Sequence, residues 1–414
     1  MSSIGILTDT QLDSFVFIGK ASRKGRLLFM DKKIRFAALG TNGRWLGLDL
    51  TYFVHPNAEL VAVCDIADGV AENAASSHAS AFGNSVKVYH SYEEMVKEAV
   101  YDAIIITCDP DIQVQYACAE MNRGIHVMTE VPAAFSIEQC WDLVNTVRKT
   151  GVKYQLAEQT RYWYFISQWR KMAQNNEFGK IFYAEGEYLH YEPRWDYFRN
   201  KKTGLSVWTD DPSYDKDPDY ERSWRYRCFM DPIYYMPHEL SPLLSITGGR
   251  IERVSCFGTR LGSYASQGFE TRDLECAIMH GSNDTIFSLR AGFTAPYGHK
   301  AGTGAHWYQI KGTNKTVEWC RSTIDTPKMF DASTGEWSAQ NWGTSDPDAD
   351  AAFQNAGHGG IDYYPMYYFM DAILNDKTPP MDVYKAVECA APAILAAESA
   401  RRGGEMLLVP DFRK

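Results

Sequence analysis

Over the first 160 positions, apolar residues gather in short unbroken runs separated by helix-length stretches. The runs are Ile34–Leu39, Leu60–Cys64, Val86–His90, Ala103–Thr107, His126–Thr129 and Tyr154–Ala157. Helical patterns fill the intervals at Tyr92–Val100, Ile112–Arg123 and Ser136–Lys149. Ser136 is a favoured N-cap residue with Glu138 in the first turn behind it, and Gly124 and Gly151 stand where helices stop. Strands buried on both faces read as continuous apolar runs, so this alternation predicts a doubly wound parallel sheet, a Rossmann domain.

The second half alternates differently. Lys180–Tyr191, Ile251–Arg260, Leu274–His280, Thr285–Phe293, His306–Lys311 and Thr316–Cys320 each switch between apolar and polar residues. This predicts an α/β domain with a large open, mostly antiparallel sheet. Residues 192–232 are rich in Trp, Tyr, Arg and Asp and too long for a simple connection; the aromatics argue for packing. Residues 322–357 read as irregular and polar, and two helices follow at Asp362–Asn375 and Asp382–Arg402. The plan is an extension over 1–32, a dinucleotide domain over 33–158 and a substrate and oligomerisation domain over 159–381. A helix and tail over 382–414 are expected to pack back toward the first domain.

Composition narrows the classes. With 414 residues the chain is long enough for two cored domains. A formal charge of −10 argues against nucleic-acid binding, which needs a basic face. No apolar stretch reaches the 18 residues that a membrane crossing needs. The nine cysteines form no C-x-x-C pair, which reads as reduced thiols in a cytoplasmic protein with no metal site. Residues 1–32 hold no apolar run of signal-peptide length.

Chemistry enters after the first strand. Gly40-Thr41-Asn42-Gly43-Arg44 forms a turn ahead of a helix, and Asp65 closes the second strand. Such a turn brings N–H groups and the positive helix end onto a pyrophosphate, while an acid about 20 residues on accepts from the ribose hydroxyls. A carboxylate there repels a 2′-phosphate, so NAD is expected rather than NADP. In G-x-G-x-x-G register, Asn42 and Trp45 replace the second and third glycines.

With Glu130-Val131-Pro132 added, the chain resembles, over about 33–412, the Gfo/Idh/MocA oxidoreductases, and among them the NAD-dependent glycosidases of glycoside hydrolase family 109. Sugar dehydrogenases of that group carry Glu-Lys-Pro here; this chain has valine and continues Ala-Ala-Phe-Ser-Ile-Glu-Gln-Cys-Trp. Further matches are Glu158-Gln159 with Tyr162, Gly186-Glu187-Tyr188-Leu189-His190, Trp224-Arg225 and Tyr235-Met236-Pro237-His238-Glu239-Leu240. Thr294-Ala295-Pro296-Tyr297, Gly357-His358-Gly359-Gly360-Ile361-Asp362, Asp382-Val383-Tyr384 and Val409-Pro410-Asp411-Phe412 follow in order. The resemblance implies tightly held NAD at Gly40, Asn42, Gly43, Arg44, Asp65, Asp111, Gln113, Glu130, Val131 and Gln159. Gln113 and Gln159 stand where the family has histidine and asparagine.

It also implies hydrolysis without net redox change. C3 of a hexoside is oxidised, a base takes the acidified C2 hydrogen, and the C1 group leaves. Water then adds and C3 is reduced again. This chemistry needs proton carriers and donors to an enolate, and Tyr188, His190, Tyr235, His238 and Glu158 are the candidate catalytic groups. Tyr188 and His190 share a strand face. A packed Tyr/His interface explains any one of the four rings equally well, but not the four together at family spacing; for Glu158 the plain alternative is a surface carboxylate.

Arg225, Tyr297 and His358 are candidate substrate contacts, although Arg225 also suits an ion pair and His358 a turn. Five arginines (194, 199, 222, 225 and 227) lie among Trp195, Trp208 and Trp224 and suit an anionic, sulfoquinovoside-like sugar; seven nearby acids suit them as ion-pair partners equally. A neutral or N-acetylated hexoside is the rival. A sugar or cyclitol dehydrogenase is the alternative activity, against which Val131 speaks. The open sheet and the resemblance imply a homo-oligomer.

Overall fold

The structure is a computed structural model and describes residues 32–191, 197–204, 206–209, 211–223, 228, 231–265, 270–294, 303–304 and 306–414. The expected alternation is present: β1 (Ile34–Leu39), α1 (Trp45–Tyr52), β2 (Ala58–Cys64), α2 (Val70–Phe82), β3 (Lys87–Tyr89) and α3 (Tyr92–Glu98) come first. Then follow β4 (Ala103–Ile106), α4 (Gln113–Asn122), β5 (His126–Thr129), α5 (Ile137–Thr150) and β6 (Tyr154–Leu156). The strands form a six-stranded parallel sheet in the order β3-β2-β1-β4-β5-β6. The order reverses between β1 and β4, which opens a crevice at their carboxyl ends.

Local signals act where they stand. The Ser136 side chain accepts from Gln139 N at 3.1 Å to start α5, and Gly151 ends it with φ 70°. Trp45, which replaces a glycine of the fingerprint, is 1% exposed and packs beside Phe53. The indole thus fills the space beneath the sheet rather than the crevice above it.

The second half contains α6 (Tyr164–Gln174), β7 (Ile181–Leu189), β8 (Tyr197–Asn200), β9 (Ser206–Trp208), β10 (Tyr220–Arg222) and α7 (Pro237–Thr247). Next come β11 (Ile251–Gly258), β12 (Glu275–Gly281), β13 (Ile286–Gly292), β14 (His306–Gly312), β15 (Lys315–Glu318), β16 (Lys328–Asp331) and β17 (Glu336–Ala339). The chain closes with α8 (Tyr363–Leu374), α9 (Val383–Arg401) and β18 (Leu407–Leu408). A nine-stranded mixed sheet runs β17-β16-β15-β14-β7-β13-β12-β11-β18, with β7 and β13 parallel and the other neighbours antiparallel.

Two features depart from the reading of the sequence. Residues 328–339, expected to be irregular, form the β16–β17 hairpin at one sheet edge. Its residues are half-buried or exposed, so no apolar alternation marks it. Strands β8, β9 and β10 form a separate three-stranded sheet within 192–232.

The closing helices join the halves. Met366, Phe369 and Met370 of α8 share a core with Phe36, Trp45 and Phe53. Helix α9 is capped by Asp382, which accepts from Lys385 N at 3.0 Å, and its buried alanines let it lie close between β11 and α5. Arg148 of α5 donates to Tyr384 Oη at 3.1 Å and to the Phe412 carbonyl at 2.6 Å, tying the tail to the first domain.

Candidate active site

Strand β7 lies in the middle of the large sheet, and Tyr188 near its end faces α7. Strand pairing puts His306 of β14 directly opposite Tyr188, close enough for side chains on one face to touch. The ring centroids of Tyr188 and His306 are 4.8 Å apart. Tyr235 stacks on Tyr188 at 5.1 Å with an interplanar angle of 7°, and His238 stacks at 5.4 Å. His190 sits 4.6 Å from Tyr188, its ring tilted by 55°, and stacks on Phe293 at 5.5 Å. The four Tyr and His residues singled out in the sequence are therefore one cluster, and Tyr188, Tyr235, His238 and His306 are each under 10% exposed.

Two buried carboxylates back this cluster. His238 Nδ1 lies 2.8 Å from Glu158 Oε2, a side chain with no solvent exposure. The ring meets the carboxylate off the line of an aligned hydrogen bond. Glu158 Oε1 accepts from Thr160 N at 2.9 Å, which fixes the carboxylate. The Thr160 hydroxyl lies 2.6 Å from both Glu158 Oε1 and the His238 carbonyl, and Tyr308 Oη donates to that carbonyl at 3.0 Å.

The second pair is His306 Nδ1 with Glu239 Oε1 at 2.6 Å. Neither His306 nor Glu239 stood out as a site residue in the sequence. His306 opens what reads there as an ordinary strand, and only register reveals that it faces Tyr188. Tyr235 is seated by a buried ion network beneath its turn: Arg272 Nε is 3.2 Å from Asp231 Oδ1, and Glu275 Oε2 accepts from Ile233 N at 2.9 Å.

The crevice of the parallel sheet lies beside this cluster, since Glu158 and Gln159 follow β6 directly. Its residues fit a dinucleotide. Gly40 has φ 82°, and a Cβ there would lie 2.6 Å from Cys108 N and 2.8 Å from Thr107 C. Only glycine allows this turn to lie so close to the end of β4. Asp65 Oδ2 accepts from Thr41 N at 2.8 Å and Oδ1 from Ala67 N at 3.0 Å, which holds the acid at the turn. Gln159 Oε1 is buried and has no hydrogen-bond partner among the described residues.

Other cofactor candidates are placed less directly. Gln113 is 1% exposed, and its amide is occupied by backbone: Oε1 accepts from Glu130 N at 3.2 Å, and Nε2 donates to the Glu130 and Pro132 carbonyls at 3.3 and 3.4 Å. It therefore shapes the 130–132 turn rather than reaching into the crevice. Val131 packs at the edge of the main core, and Asp111 is partly exposed ahead of α4. Asn42 Oδ1 accepts from Gly43 N at 2.8 Å.

Arg44 reaches across the crevice mouth. Its Nε is 3.5 Å from Glu130 Oε1, and its Nη2 is 3.0 Å from Asp362 Oδ1. Burial would lower the Arg44 pKa, but Glu130 and Asp362 outweigh it and the net shift is upward. Burial pushes the Glu130 carboxyl up, with Arg44 opposing. His358 Nδ1 lies 2.9 Å from Asp362 Oδ2, so His358 joins Arg44 and Asp362 rather than the Tyr188 cluster. Arg225 and Tyr297 lie outside the described residues. Arg199 pairs with Glu221 at 2.6 Å and Arg222 with Asp215 at 2.7 Å, so these two arginines are ion-paired. Among the described residues no group of three or more His, Cys, Asp or Glu is arranged to hold a metal ion.

Comparison with known proteins agrees with this geometry. Residues 34–158 match the oxidoreductase family described as NAD-binding Rossmann fold, and residues 332–414 match the glycosyl hydrolase 109 C-terminal domain. A glycosyl hydrolase family 109 protein of Parabacteroides distasonis is 25% identical, over 93% of this chain and 88% of its own length. An alpha-N-acetylgalactosaminidase of Tannerella forsythia is 27% identical, over 93% of this chain and 87% of its own. In fold, the chain is similar to the WlbA dehydrogenase of Bordetella pertussis, solved with NADH and UDP-GlcNAcA. The TM-score is 0.63 at 20% identity, covering 92% of this chain and 99% of that one. The chain thus carries the NAD-binding Rossmann domain of the Gfo/Idh/MocA oxidoreductase family over residues 34–158 and the C-terminal domain of glycosyl hydrolase family 109 over residues 332–414.

Proposed function

We propose that this NAD-dependent glycoside hydrolase cleaves an N-acetylated hexoside by oxidation at C3, elimination of the C1 group, addition of water and reduction. The observation that carries this reading is the Tyr188 cluster with its two buried His–carboxylate pairs, set beside a dinucleotide crevice. Gly40, Asp65 and Gln159 would hold NAD, with Arg44 and Glu130 closing its mouth. Bound NAD supplies a hydride acceptor that is regenerated within each turnover, so none is consumed.

The chain's own residues handle protons. With Nδ1 held at Glu158, His238 keeps Nε2 as the acceptor, and the carboxylate stabilises the imidazolium that forms. Tyr188 and Tyr235 present phenols that donate to the enolate oxygen formed when the C2 hydrogen is lost. His190 protonates the departing group. His306, held by Glu239, packs behind Tyr188 and orients its ring.

The N-acetylated substrate is supported by the name of the Tannerella relative. The anionic alternative is weakened at Arg199 and Arg222, which are occupied in ion pairs. Exposed Phe257, Ile278 and Ile286 on the large sheet support a homo-oligomer formed through that face. All nine cysteines are unpaired, which supports a reducing compartment.

The test uses para-nitrophenyl α-N-acetylgalactosaminide and a C6-anionic para-nitrophenyl hexoside, with NAD-loaded protein. The expected outcome is nitrophenol release on the N-acetylated compound at the higher kcat/KM, while absorbance at the NADH wavelength does not grow with turnover. One NADH accumulated per sugar consumed would make the protein a dehydrogenase instead.

A further inference from the structure

The small sheet of β8, β9 and β10 stands over the cofactor crevice. Its β8–β9 turn touches the loops after β1 and β2, and Arg199 of β8 itself touches the loop after β4. Asn42 of the glycine turn donates from Nδ2 to the Gly204 carbonyl at 3.4 Å. Gly204, with φ 65°, lies so close to the loop after β2 that a Cβ there would overlap that of Ala67. Arg199 Nη1 is 3.4 Å from Asp109 Oδ2 in the loop after β4, while its Nη2 is 2.6 Å from Glu221 of β10.

The turn is internally built. Asn200 Oδ1 accepts from Lys202 N and Thr203 N at 2.9 and 3.0 Å, and Lys201 N donates to the Asp219 carbonyl at 2.8 Å. Phe198 is 1% exposed and stacks near Tyr214, which meets Tyr220 edge-on. The aromatics of this segment therefore give the small sheet its own core.

We propose that strands β8–β10 form a clasp over the adenosine end of the dinucleotide site, with Arg199 and Gly204 as its two closing contacts. This rests on the NAD reading of the crevice and goes beyond it, because the clasp assigns the inserted segment to cofactor retention. Asp65 marks the adenosine end, held by Thr41 N and Ala67 N; Gly204 meets Ala67 in the same loop and Asn42 in the glycine turn, and Arg199 meets Asp109 in the loop after β4. A cofactor that is regenerated within each turnover has no need to leave, so a closed site costs no throughput. The same contacts slow NAD entry and NAD release together, whereas a residue that merely touches the nucleotide changes release alone.

The experiment follows NADH fluorescence by stopped flow on mixing with protein freed of nucleotide, and again on chasing the loaded protein with excess NAD. The variants are Gly204→Val, Arg199→Gln, Asp109→Asn and the Arg199→Gln/Asp109→Asn double. Gly204→Val is expected to speed release and entry at least tenfold. Arg199→Gln and Asp109→Asn are each expected to speed both about fivefold, and the double no more than either single, because one ion pair joins them. If Gly204→Val fails to fold, the Arg199/Asp109 set decides. Wild-type rates in these variants, with unchanged circular dichroism and Tm, would overturn the clasp while leaving the NAD site standing. Absence of any stoichiometric NADH binding to the wild-type protein would overturn both.

Discussion

Replacing His238 with asparagine is expected to lower kcat/KM for the nitrophenyl glycoside by about a thousandfold, with most of the loss in kcat. Positioned acid–base groups contribute about 10²–10⁴-fold, and His238 is the histidine of the cluster that contacts Glu158, at 2.8 Å. Asparagine keeps an amide donor toward the buried carboxylate but cannot accept and return a proton. Its backbone stays anchored, since the carbonyl at 238 is held by Tyr308 and lies against Thr160. The variant is therefore expected to retain NAD binding and a cooperative unfolding transition. Full activity in a folded His238→Asn protein would remove His238 from the proton chemistry.

Replacing Asp65 with alanine is expected to weaken NAD by about 10–100-fold, the range for losing charge-assisted hydrogen bonds worth about 1.5–3 kcal/mol. It is also expected to abolish discrimination against NADP. The two effects have separate causes. Asp65 accepts from Thr41 N and Ala67 N, so its loss loosens the turn for either nucleotide. Loss of the negative charge, in contrast, relieves repulsion of the 2′-phosphate and favours NADP alone. Titration calorimetry with both nucleotides separates them, and equal affinity of the wild-type protein for NAD and NADP would contradict the role given to Asp65.

The first domain was legible because its strands are buried on both faces, as in β4 (Ala103–Ile106), where all four residues are buried. Tyr188 and His190 were legible as a pair because strand period alone puts them on one face. His306 was not, since its partnership with Tyr188 depends on the register of β7 against β14, more than 100 residues apart in sequence. Gln113 was assigned to the cofactor by position, yet its buried amide is taken up by the 130–132 backbone. The β16–β17 hairpin escaped notice because it sits at a sheet edge with no fully buried side chain. Trp45 explains why a weakened glycine fingerprint still folds: the helix–strand contact is made by an indole in the core.

The central claim is that cleavage proceeds through loss of the C2 hydrogen and not by direct displacement at C1. Hydrolysis of the N-acetylated nitrophenyl glycoside in D2O, with the released sugar analysed by NMR and mass spectrometry, tests it most directly. The account predicts one solvent-derived deuteron on carbon at C2 of the product. A product that retains only protium at C2 would contradict it.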